Sequence, residues 1–238
     1  MQDFDTYLKT RQATASRPLL GQTILVVEDS RFACETLRLM CLRSGARIRM
    51  ADSMRSARRH LKVYRPSVLI VDMGLPDGSG ADLLLDLTQA TPRVDVIIGT
   101  SGDPDGEQTA LDAGADGFLH KPLGNLGAFQ ASILELMPVE RRPRGPRPVT
   151  NEHVIGDEVA YQCDMAHMAD LLNDPEDPET LDYVAQFLTG VAHAAGDAEL
   201  ENAARALGEN RKEFGSVFEI VGQISALVHA RMQGQIAI

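Results

Sequence analysis

The sequence predicts two domains of different fold classes, an α/β domain followed by an all-α domain. In the first part of the chain, five short segments with the pattern of strands alternate with five segments with the pattern of helices, which is typical of a parallel sheet with helices on both faces. In the last part, apolar residues recur only at the spacing of helices. A segment rich in proline and arginine separates the two patterns. We therefore divide the chain into an N-terminal arm (1–21), an α/β domain (22–137), a linker (138–150) and a helical domain (151–238).

The α/β domain is predicted from apolar strands that end in polar residues and from helices that follow them. The predicted strands are Thr23–Val27, Arg47–Ala51, Val68–Asp72, Val94–Ile98 and Gly117–His120. The predicted helices lie at 30–45, 53–64, 82–89, 103–114 and 125–137. Val68–Val71 is continuously apolar, as expected for a strand that is buried on both faces. Five such strands, joined by right-handed crossovers, commonly form a doubly wound parallel sheet in the order 2-1-3-4-5.

Five polar side chains are expected at one edge of this sheet. Asp72 ends the third strand and is followed by a loop rich in glycine, while Glu28 and Asp29 follow the first strand. Thr100 and Lys121 follow the fourth and fifth strands. Because the carboxyl ends of parallel strands meet at one edge, where ligands bind in open α/β sheets, these side chains are expected to converge.

This set of residue types predicts chemistry on a phosphoryl group. Three neighbouring carboxylates repel one another unless a cation lies between them, and hard oxygen ligands favour Mg²⁺. Asp72 is a candidate nucleophile that would form an aspartyl phosphate, and Lys121 and Thr100 would contact the phosphoryl oxygens. For any one of these residues taken alone, we favour an ordinary solvated loop end. The prediction therefore depends on the whole set.

Four segments of the α/β domain carry a family resemblance: VVEDS, DMGLPDGSG, GTSG and GADGFLHKP. With these segments in this order and spacing, residues 22–137 resemble the receiver domain of bacterial two-component response regulators. The resemblance implies that Asp72 accepts a phosphoryl group from a sensor histidine kinase or a phosphotransfer protein. It also implies that Glu28, Asp29 and Asp72, with the backbone carbonyl of Gly74, hold Mg²⁺.

The resemblance also implies which residues respond to phosphorylation. Phe118 occupies the position of a switch aromatic that turns inward when Thr100 is drawn to the phosphate, and an ordinary core aromatic is an equal alternative. The peptide bond before Pro122 would be cis. Gly74 and Gly102 stand where the family often has larger side chains, which affects the expected lifetime of the aspartyl phosphate and not the chemistry.

The helical domain is predicted to act through protein contacts and not through nucleic acid. Residues 151–238 contain 16 acidic and 4 basic residues, a net charge of −12 within a chain whose total is −11. Such a charge opposes the attraction to phosphates on which nucleic-acid binding depends. The segment has neither a basic recognition helix nor a nucleotide-binding or metal-binding motif. We therefore expect a signalling protein that is not an enzyme and that passes its signal to a protein partner.

Two questions about the helical domain stay open. Apolar residues of the last helix follow the spacing of a bundle seam: Phe214, Val217, Val221, Ile224 and Val228. Four helices would close on themselves or be completed by a second copy in a homodimer. His193 lies in a HAAG segment that faintly resembles histidine phosphotransfer bundles, although the lysine that usually follows such a histidine is absent. A combined receiver and phosphotransfer protein that uses His193 is the alternative function.

Composition predicts a cytoplasmic protein with reduced cysteines. No apolar run approaches the ~20 residues that span a bilayer, and the first residues are polar where a signal peptide would be apolar. The cysteines, Cys34, Cys41 and Cys163, are odd in number and lie inside helical patterns. We expect buried thiols, with neither disulfides nor a metal cluster, and no membrane partner.

Overall fold

The chain divides into a sheet unit and a helical unit. The computed structural model describes residues 13–146, 148–173, 178–209 and 214–234. Among these, the sheet unit contains residues 13–29 and 36–154, and the helical unit contains residues 30–35 and those from 155 onward. Residues 1–12 of the predicted arm lie outside the described residues. Within the described part of the arm, Leu19 is completely buried in the core of the sheet unit.

A five-stranded parallel sheet forms the centre of the sheet unit. Its strands are β1 (Thr23–Val27), β2 (Arg47–Ala51), β3 (Val68–Asp72), β4 (Val96–Ser101) and β5 (Gly117–His120). They lie in the order β2-β1-β3-β4-β5. All residues of β3 are buried, because side chains pack on both faces of the sheet. The predicted fold class and strand order are therefore confirmed.

Helices lie on the two faces of this sheet. Within the described residues they are α1 (Arg31–Ser44), whose first turn belongs to the helical unit, α2 (Met54–Val63), α3 (Gly80–Thr88), α4 (Gly106–Asp112) and α5 (Leu126–Leu136). One core joins Leu37 of α1 and Ile133 of α5 to Ile70 of β3. The other core joins Leu83 of α3 to Leu69 of the same strand. Neighbouring side chains of β3 thus pack into opposite cores, because successive side chains of a strand point to opposite faces of the sheet.

The fourth helix is shorter than predicted. A helix from residue 103 was expected to begin at the Asp-Pro pair, but the Asp103 carboxylate accepts a hydrogen bond from the backbone N–H of Asp105 at 2.9 Å. A local turn of this kind competes with a helical first turn, and α4 begins at Gly106. Strand β4 begins and ends later than predicted, so that it includes Thr100.

The boundary between the two units lies later than predicted. Residues 151–154, which were expected in the helical domain, belong to the sheet unit. The backbone N–H of Leu126 donates to the carbonyl of Glu152 at 3.0 Å, and that of Val154 donates to the carbonyl of Gly124 at 2.8 Å. Val154 is also buried in a core of the sheet unit. Backbone pairing and one buried side chain therefore hold this segment in the sheet unit.

The helical unit contains a four-helix bundle. Its helices, within the described residues, are α6 (Glu158–Asn173), α7 (Pro178–Ala195), α8 (Ala198–Glu209) and α9 (Phe214–Met232). Each helix packs on the next, and α9 returns to pack on α6, so the four helices close on one another. In the predicted seam, Ile224 and Val228 are completely buried, and Val217 and Val221 pack partly buried against the same core. The seam therefore contributes to the interior of the bundle.

Two smaller expectations can be compared with the structure. No helix among the described residues is long and apolar enough to cross a bilayer. All three cysteines are free thiols. Cys34 and Cys41 are buried as expected, but Cys163 is exposed, because it lies on the outer side of α6.

Candidate functional site

Carboxylates that follow β1 and β3 form an acidic cluster at one edge of the sheet. Glu28, Asp29 and Asp72 each offer an oxygen atom, and these oxygens lie within 4.8 Å of one another. Glu28 is 1% exposed and Asp72 6% exposed, while Asp29 is half-buried. Val27 is the partner of Val71 in the parallel register, so the residues after β1 and at the end of β3 meet at one level. The structure thus brings these three predicted residues together.

The side chain of Lys121 lies within this cluster. Its Nζ atom is 2.9 Å from Oδ2 of Asp72 and 2.8 Å from Oε2 of Glu28. Burial lowers the pKa of the Lys121 ammonium, but the charges of Asp72 and Glu28 outweigh that effect and hold the pKa above its usual value. The peptide bond between Lys121 and Pro122 is cis, as predicted. Lys121 is therefore a fixed positive charge between two carboxylates.

The negative charge of the cluster exceeds its positive charge. Within the described part of the chain, the cluster combines three carboxylates with the ammonium of Lys121. The pKa of Glu28 is raised, first by burial and next by the charge of Asp72, while Lys121 opposes the shift. A divalent cation would relieve this repulsion, and carboxylate oxygens are the donors that Mg²⁺ prefers. The donor set therefore fits Mg²⁺, with Glu28, Asp29 and Asp72 as the residues that would hold it.

Thr100 lies beside Asp72 on the neighbouring strand β4. The two residues are partners in the parallel register, and Thr100 is 1% exposed. The Thr100 hydroxyl donates a hydrogen bond to the backbone carbonyl of Leu119 at 2.8 Å. To contact a group bound to Asp72, the hydroxyl would have to exchange this hydrogen bond for another.

Phe118, the predicted switch aromatic, is partly buried on β5. Its ring packs edge-to-face on the ring of His120, with 4.9 Å between the centroids. A Cβ atom on Gly99 would lie 3.2 Å from Cδ2 of Phe118. The ring therefore lies against the residue of β4 that precedes Thr100.

Glycines allow the loop after Asp72 to fold back on its own strand. Gly74 pairs with Ser79 in a short antiparallel hairpin. A Cβ atom on Gly80 would overlap the backbone carbonyl oxygen of Asp72, so only glycine fits that position without movement. The expected role of the Gly74 carbonyl as a metal ligand stays a prediction.

Sequence reasoning missed the residue that joins this loop to α2. The Asp77 carboxylate accepts hydrogen bonds from the backbone N–H groups of Met54 at 2.8 Å and Arg55 at 2.9 Å. A carboxylate is stabilising at a helix N-terminus because it pairs with backbone donors that have no partner within the helix. Asp77 lies within the DMGLPDGSG segment, but no local pattern connects it to a helix 22 residues away.

Two histidines of the helical unit, His167 on α6 and His193 on α7, differ in their surroundings. The side chain of His193 on α7 is 52% exposed, and its Nδ1 lies 3.0 Å from Oε2 of Glu201. The ring of His167 packs edge-to-face against Phe187, with 6.3 Å between the centroids. Both histidines are exposed to solvent, and they differ in that His167 contacts an aromatic ring whereas His193 contacts a carboxylate.

The comparisons with known sequences match the first part of the chain. The sequence profile of the response regulator receiver domain family matches residues 24–131. The KDP operon transcriptional regulatory protein KdpE of Escherichia coli strain K12 is 32% identical over 110 residues, which cover 46% of this chain and 48% of that protein. The chain thus matches about half the length of this relative.

Two solved structures are similar over about half of the chain. The signal receiver domain of a signal transduction histidine kinase from Syntrophus aciditrophicus is 26% identical, covers 53% of this chain and 98% of its own, and has a TM-score of 0.46. The receiver domain of the sensor histidine kinase PA1611 from Pseudomonas aeruginosa PAO1, with a magnesium ion in its active site cleft, is 24% identical. It covers 49% of this chain and 97% of its own, with a TM-score of 0.44.

The matched family segment contains the whole acidic edge. The segment ends before the four-helix bundle, and it includes Glu28, Asp29, Asp72, Thr100 and Lys121. Residues 24–131 of this chain are therefore a response regulator receiver domain.

Proposed function

We propose that the chain is a two-component response regulator that is phosphorylated on Asp72 by a sensor histidine kinase or a phosphotransfer protein, with Mg²⁺ as cofactor. The observation that carries the proposal is the setting of Asp72, a nearly buried carboxylate at the end of β3 with the Lys121 ammonium 2.9 Å away. Glu28 and Asp29 place two further carboxylates within 4.8 Å of it. An ion pair with a purely structural role would need only one of these carboxylates.

In the proposed reaction, a carboxylate oxygen of Asp72 attacks the phosphorus atom of a phosphohistidine. An O–P bond forms on Asp72 while the P–N bond to the donor imidazole breaks, and the donor nitrogen keeps the electron pair and takes up a proton. Bound Mg²⁺ would supply positive charge next to the carboxylates and the phosphoryl oxygens. Lys121 would pair with a phosphoryl oxygen as negative charge develops there.

Thr100 and Phe118 would then report the phosphorylated state. The Thr100 hydroxyl, which donates to the Leu119 carbonyl at 2.8 Å, would donate to a phosphoryl oxygen instead. The movement of Thr100 would open space beside Gly99, against which the ring of Phe118 packs. A two-state rearrangement of this kind turns a local charge into a change of surface shape.

Phosphorylation of the full chain by a small phosphodonor, acetyl phosphate, tests the proposal. Wild-type protein should incorporate phosphate in the presence of Mg²⁺, and a chelator should stop the reaction. Asp72→Asn should incorporate none. The control is Asp86→Asn, which changes an exposed aspartate that pairs with Arg58 and should react like wild type. Labelling of Asp72→Asn at the wild-type level would overturn the assignment.

We further propose that the helical unit delivers the output through a protein contact and that the chain is not an enzyme. The net charge of −12 over residues 151–238 supports this proposal, because it repels nucleic acid. DNA binding is the competing output, since the relative KdpE is named as a transcriptional regulator.

A gel-shift experiment separates these two outputs. The full chain should fail to retard duplex DNA at physiological salt before and after phosphorylation, and retardation would overturn the proposed output. Sedimentation of the same two samples tests whether the protein partner is a second copy of the chain, since phosphorylation would then change the molecular mass.

A second candidate function is phosphotransfer through His193. Its exposed ring is held at Nδ1 by Glu201, which favours Nε2 as the nucleophilic nitrogen. His193→Gln should then abolish transfer of phosphate from the labelled chain to an added receiver domain. Unchanged transfer in His193→Gln would exclude this function.

A further inference from the structure

The helical unit contains a buried carboxylate that no step of the proposed reaction uses. Asp164 lies on α6 and is 1% exposed. Its two oxygens accept three hydrogen bonds from the first turn of α1: from the Ser30 hydroxyl at 2.8 Å, from the Arg31 N–H at 2.7 Å and from the Phe32 N–H at 3.0 Å. Burial of a carboxylate is costly unless it is paired in this way. The three hydrogen bonds therefore offset the cost of burying Asp164 inside the helical unit.

Asp164 completes the capping of the N-terminus of α1. The Ser30 side chain accepts a hydrogen bond from the Ala33 N–H at 3.0 Å, and the Ser30 carbonyl accepts one from the Cys34 N–H at 2.9 Å. The two remaining N–H groups of the first turn are those that donate to Asp164. The N–H groups of Arg31, Phe32 and Ala33, which have no acceptor inside the helix, are thus satisfied. Loss of Asp164 would remove the acceptor of the Arg31 and Phe32 N–H groups.

The same turn is packed into the bundle by an aromatic side chain. Phe32 is 5% exposed and belongs to the core of the helical unit. Its ring packs edge-to-face on Tyr161 of α6, with 5.8 Å between the centroids. A Cβ atom on Gly156 would lie 2.6 Å from the backbone oxygen of Phe32. Residues 30–35 are therefore part of the folded helical unit, although α1 continues into the sheet unit.

This turn follows directly after the acidic cluster in the chain. Asp29 is bonded through its peptide group to Ser30, and consecutive Cα atoms lie about 3.8 Å apart. A turn that is fixed at Ser30 leaves the backbone of Asp29 little freedom, whereas a frayed turn would let Asp29 sample other positions. Metal affinity depends on such preorganisation of the ligands.

We propose that Asp164 is a positioning residue for the acidic cluster, which fixes the first turn of α1 and thereby holds Asp29 in place for Mg²⁺. This inference rests on the proposed function of that cluster. It gives the helical unit a direct effect on the receiver chemistry, through a carboxylate that lies more than 130 residues later in the chain.

The coupling must act in both directions. If the fixed turn strengthens binding of Mg²⁺, then Mg²⁺ strengthens the hydrogen bonds of the turn by the same factor. Occupation of the acidic cluster should therefore slow amide exchange at Arg31 and Phe32, whose N–H groups donate to Asp164. A cap with a merely structural role would stabilise the helical unit without this response.

Titration of Mg²⁺ into the full chain tests the proposal. Asp164→Asn should raise the dissociation constant for Mg²⁺ about tenfold, the low end of the effect of groups that orient metal ligands. Ser30→Ala, which removes one hydrogen bond to Asp164 and the acceptor of the Ala33 N–H, should change it in the same direction. In wild-type protein, Mg²⁺ should slow exchange of the Arg31 and Phe32 amides by a similar factor, and in Asp164→Asn it should not.

The matched control is Asp157→Ala. Asp157 also caps a helix of this unit, since its carboxylate accepts from the Ala160 N–H at 2.9 Å, but it caps α6 and not α1. The Asp157→Ala substitution should lower the stability of the helical unit and leave the Mg²⁺ affinity unchanged. If Asp164→Asn and Ser30→Ala fold and bind Mg²⁺ with wild-type affinity, this inference is overturned and the proposed function is not. If the wild-type protein fails to bind Mg²⁺, the proposed function is overturned as well.

Discussion

Each unit of the molecule buries a cluster of charged side chains, and the two clusters differ in their balance. In the sheet unit, three carboxylates share the ammonium of Lys121. In the helical unit, Asp197 and Arg231 are both nearly buried and are joined by two hydrogen bonds of 2.8 and 3.2 Å. Tyr161 donates to the same carboxylate at 2.9 Å, and Arg231 also donates to Glu199 at 2.8 Å. Because Glu199 is exposed, the buried charges of this cluster are one negative and one positive.

The pKa directions follow this difference. Burial raises the pKa of Asp197, but the hydrogen bonds from Arg231, Leu200 and Tyr161 outweigh it, so that the pKa lies below its usual value. The pKa of Glu28 in the other cluster is raised, because burial and the charge of Asp72 outweigh the effect of Lys121. The balanced cluster stabilises a fold, and the cluster with surplus negative charge is prepared for a cation.

The largest effect is expected in the balanced cluster. Asp197→Ala leaves Arg231 buried without its main partner and should lower the free energy of unfolding of the helical unit by about 3–5 kcal/mol, measured by urea denaturation. Asp170→Ala, at an exposed position of α6, should change it by less than about 0.5 kcal/mol. A loss below about 1 kcal/mol for Asp197→Ala would show that the pair does not carry the stability of the unit.

The same carboxylate should contribute to acid unfolding. Because the folded-state pKa of Asp197 is lowered, its ionised form stabilises the folded unit above the unfolded-state pKa of about 4. That stabilisation is lost as the pH falls through the folded-state pKa. The difference in unfolding free energy between wild type and Asp197→Asn should therefore shrink below about pH 4. A difference that stays constant with pH would contradict this account.

In the acidic cluster of the sheet unit, removal of the Lys121 ammonium should strengthen the binding of Mg²⁺. Lys121→Ala removes a charge at 2.8–2.9 Å from Glu28 and Asp72, which competes with Mg²⁺ for the same oxygens. The dissociation constant for Mg²⁺ should fall about fivefold or more, since one such charge contact is worth at least about 1 kcal/mol. Lys62→Ala, at an exposed position of α2, is the control. Weaker Mg²⁺ binding by Lys121→Ala would mean that Lys121 organises the ligands and does not compete.

The smallest effect is expected at Thr100. Thr100→Ala removes the hydrogen bond to the Leu119 carbonyl and should lower the stability of the sheet unit by about 1 kcal/mol. The rate of labelling by acetyl phosphate should stay within about twofold of wild type, because Thr100 is no nucleophile and no metal ligand. Loss of labelling would place Thr100 in the chemistry and not in its readout.

The sequence allowed the fold and the convergence of the acidic edge to be predicted, because both follow from periodic patterns. Strands that are apolar along their length and end in polar residues determine where a parallel sheet places those residues, and Glu28, Asp72 and Lys121 followed that rule. The roles assigned to these residues came from the family resemblance.

What escaped prediction depends on single residues that meet across long stretches of chain. Val154 and Phe32 each add one buried side chain to a unit that their position in the sequence did not indicate. The sequence around Asp164 contains a signal that the prediction did not use. It is a charged residue on the apolar stripe of α6 beside Tyr161 and Met165, where a buried charge requires a partner. Its partners lie in α1, and no local pattern could have identified them.

The claim that surplus negative charge marks the reactive site is tested most directly by locating the phosphoryl group. The full chain would be treated with acetyl phosphate and Mg²⁺, digested, and each peptide examined by mass spectrometry. The account predicts phosphate on the peptide that contains Asp72, and none on peptides that contain Asp197 or Asp164. Phosphate on any other aspartate, or an Asp72 peptide that stays unmodified while the chain is labelled, would contradict it.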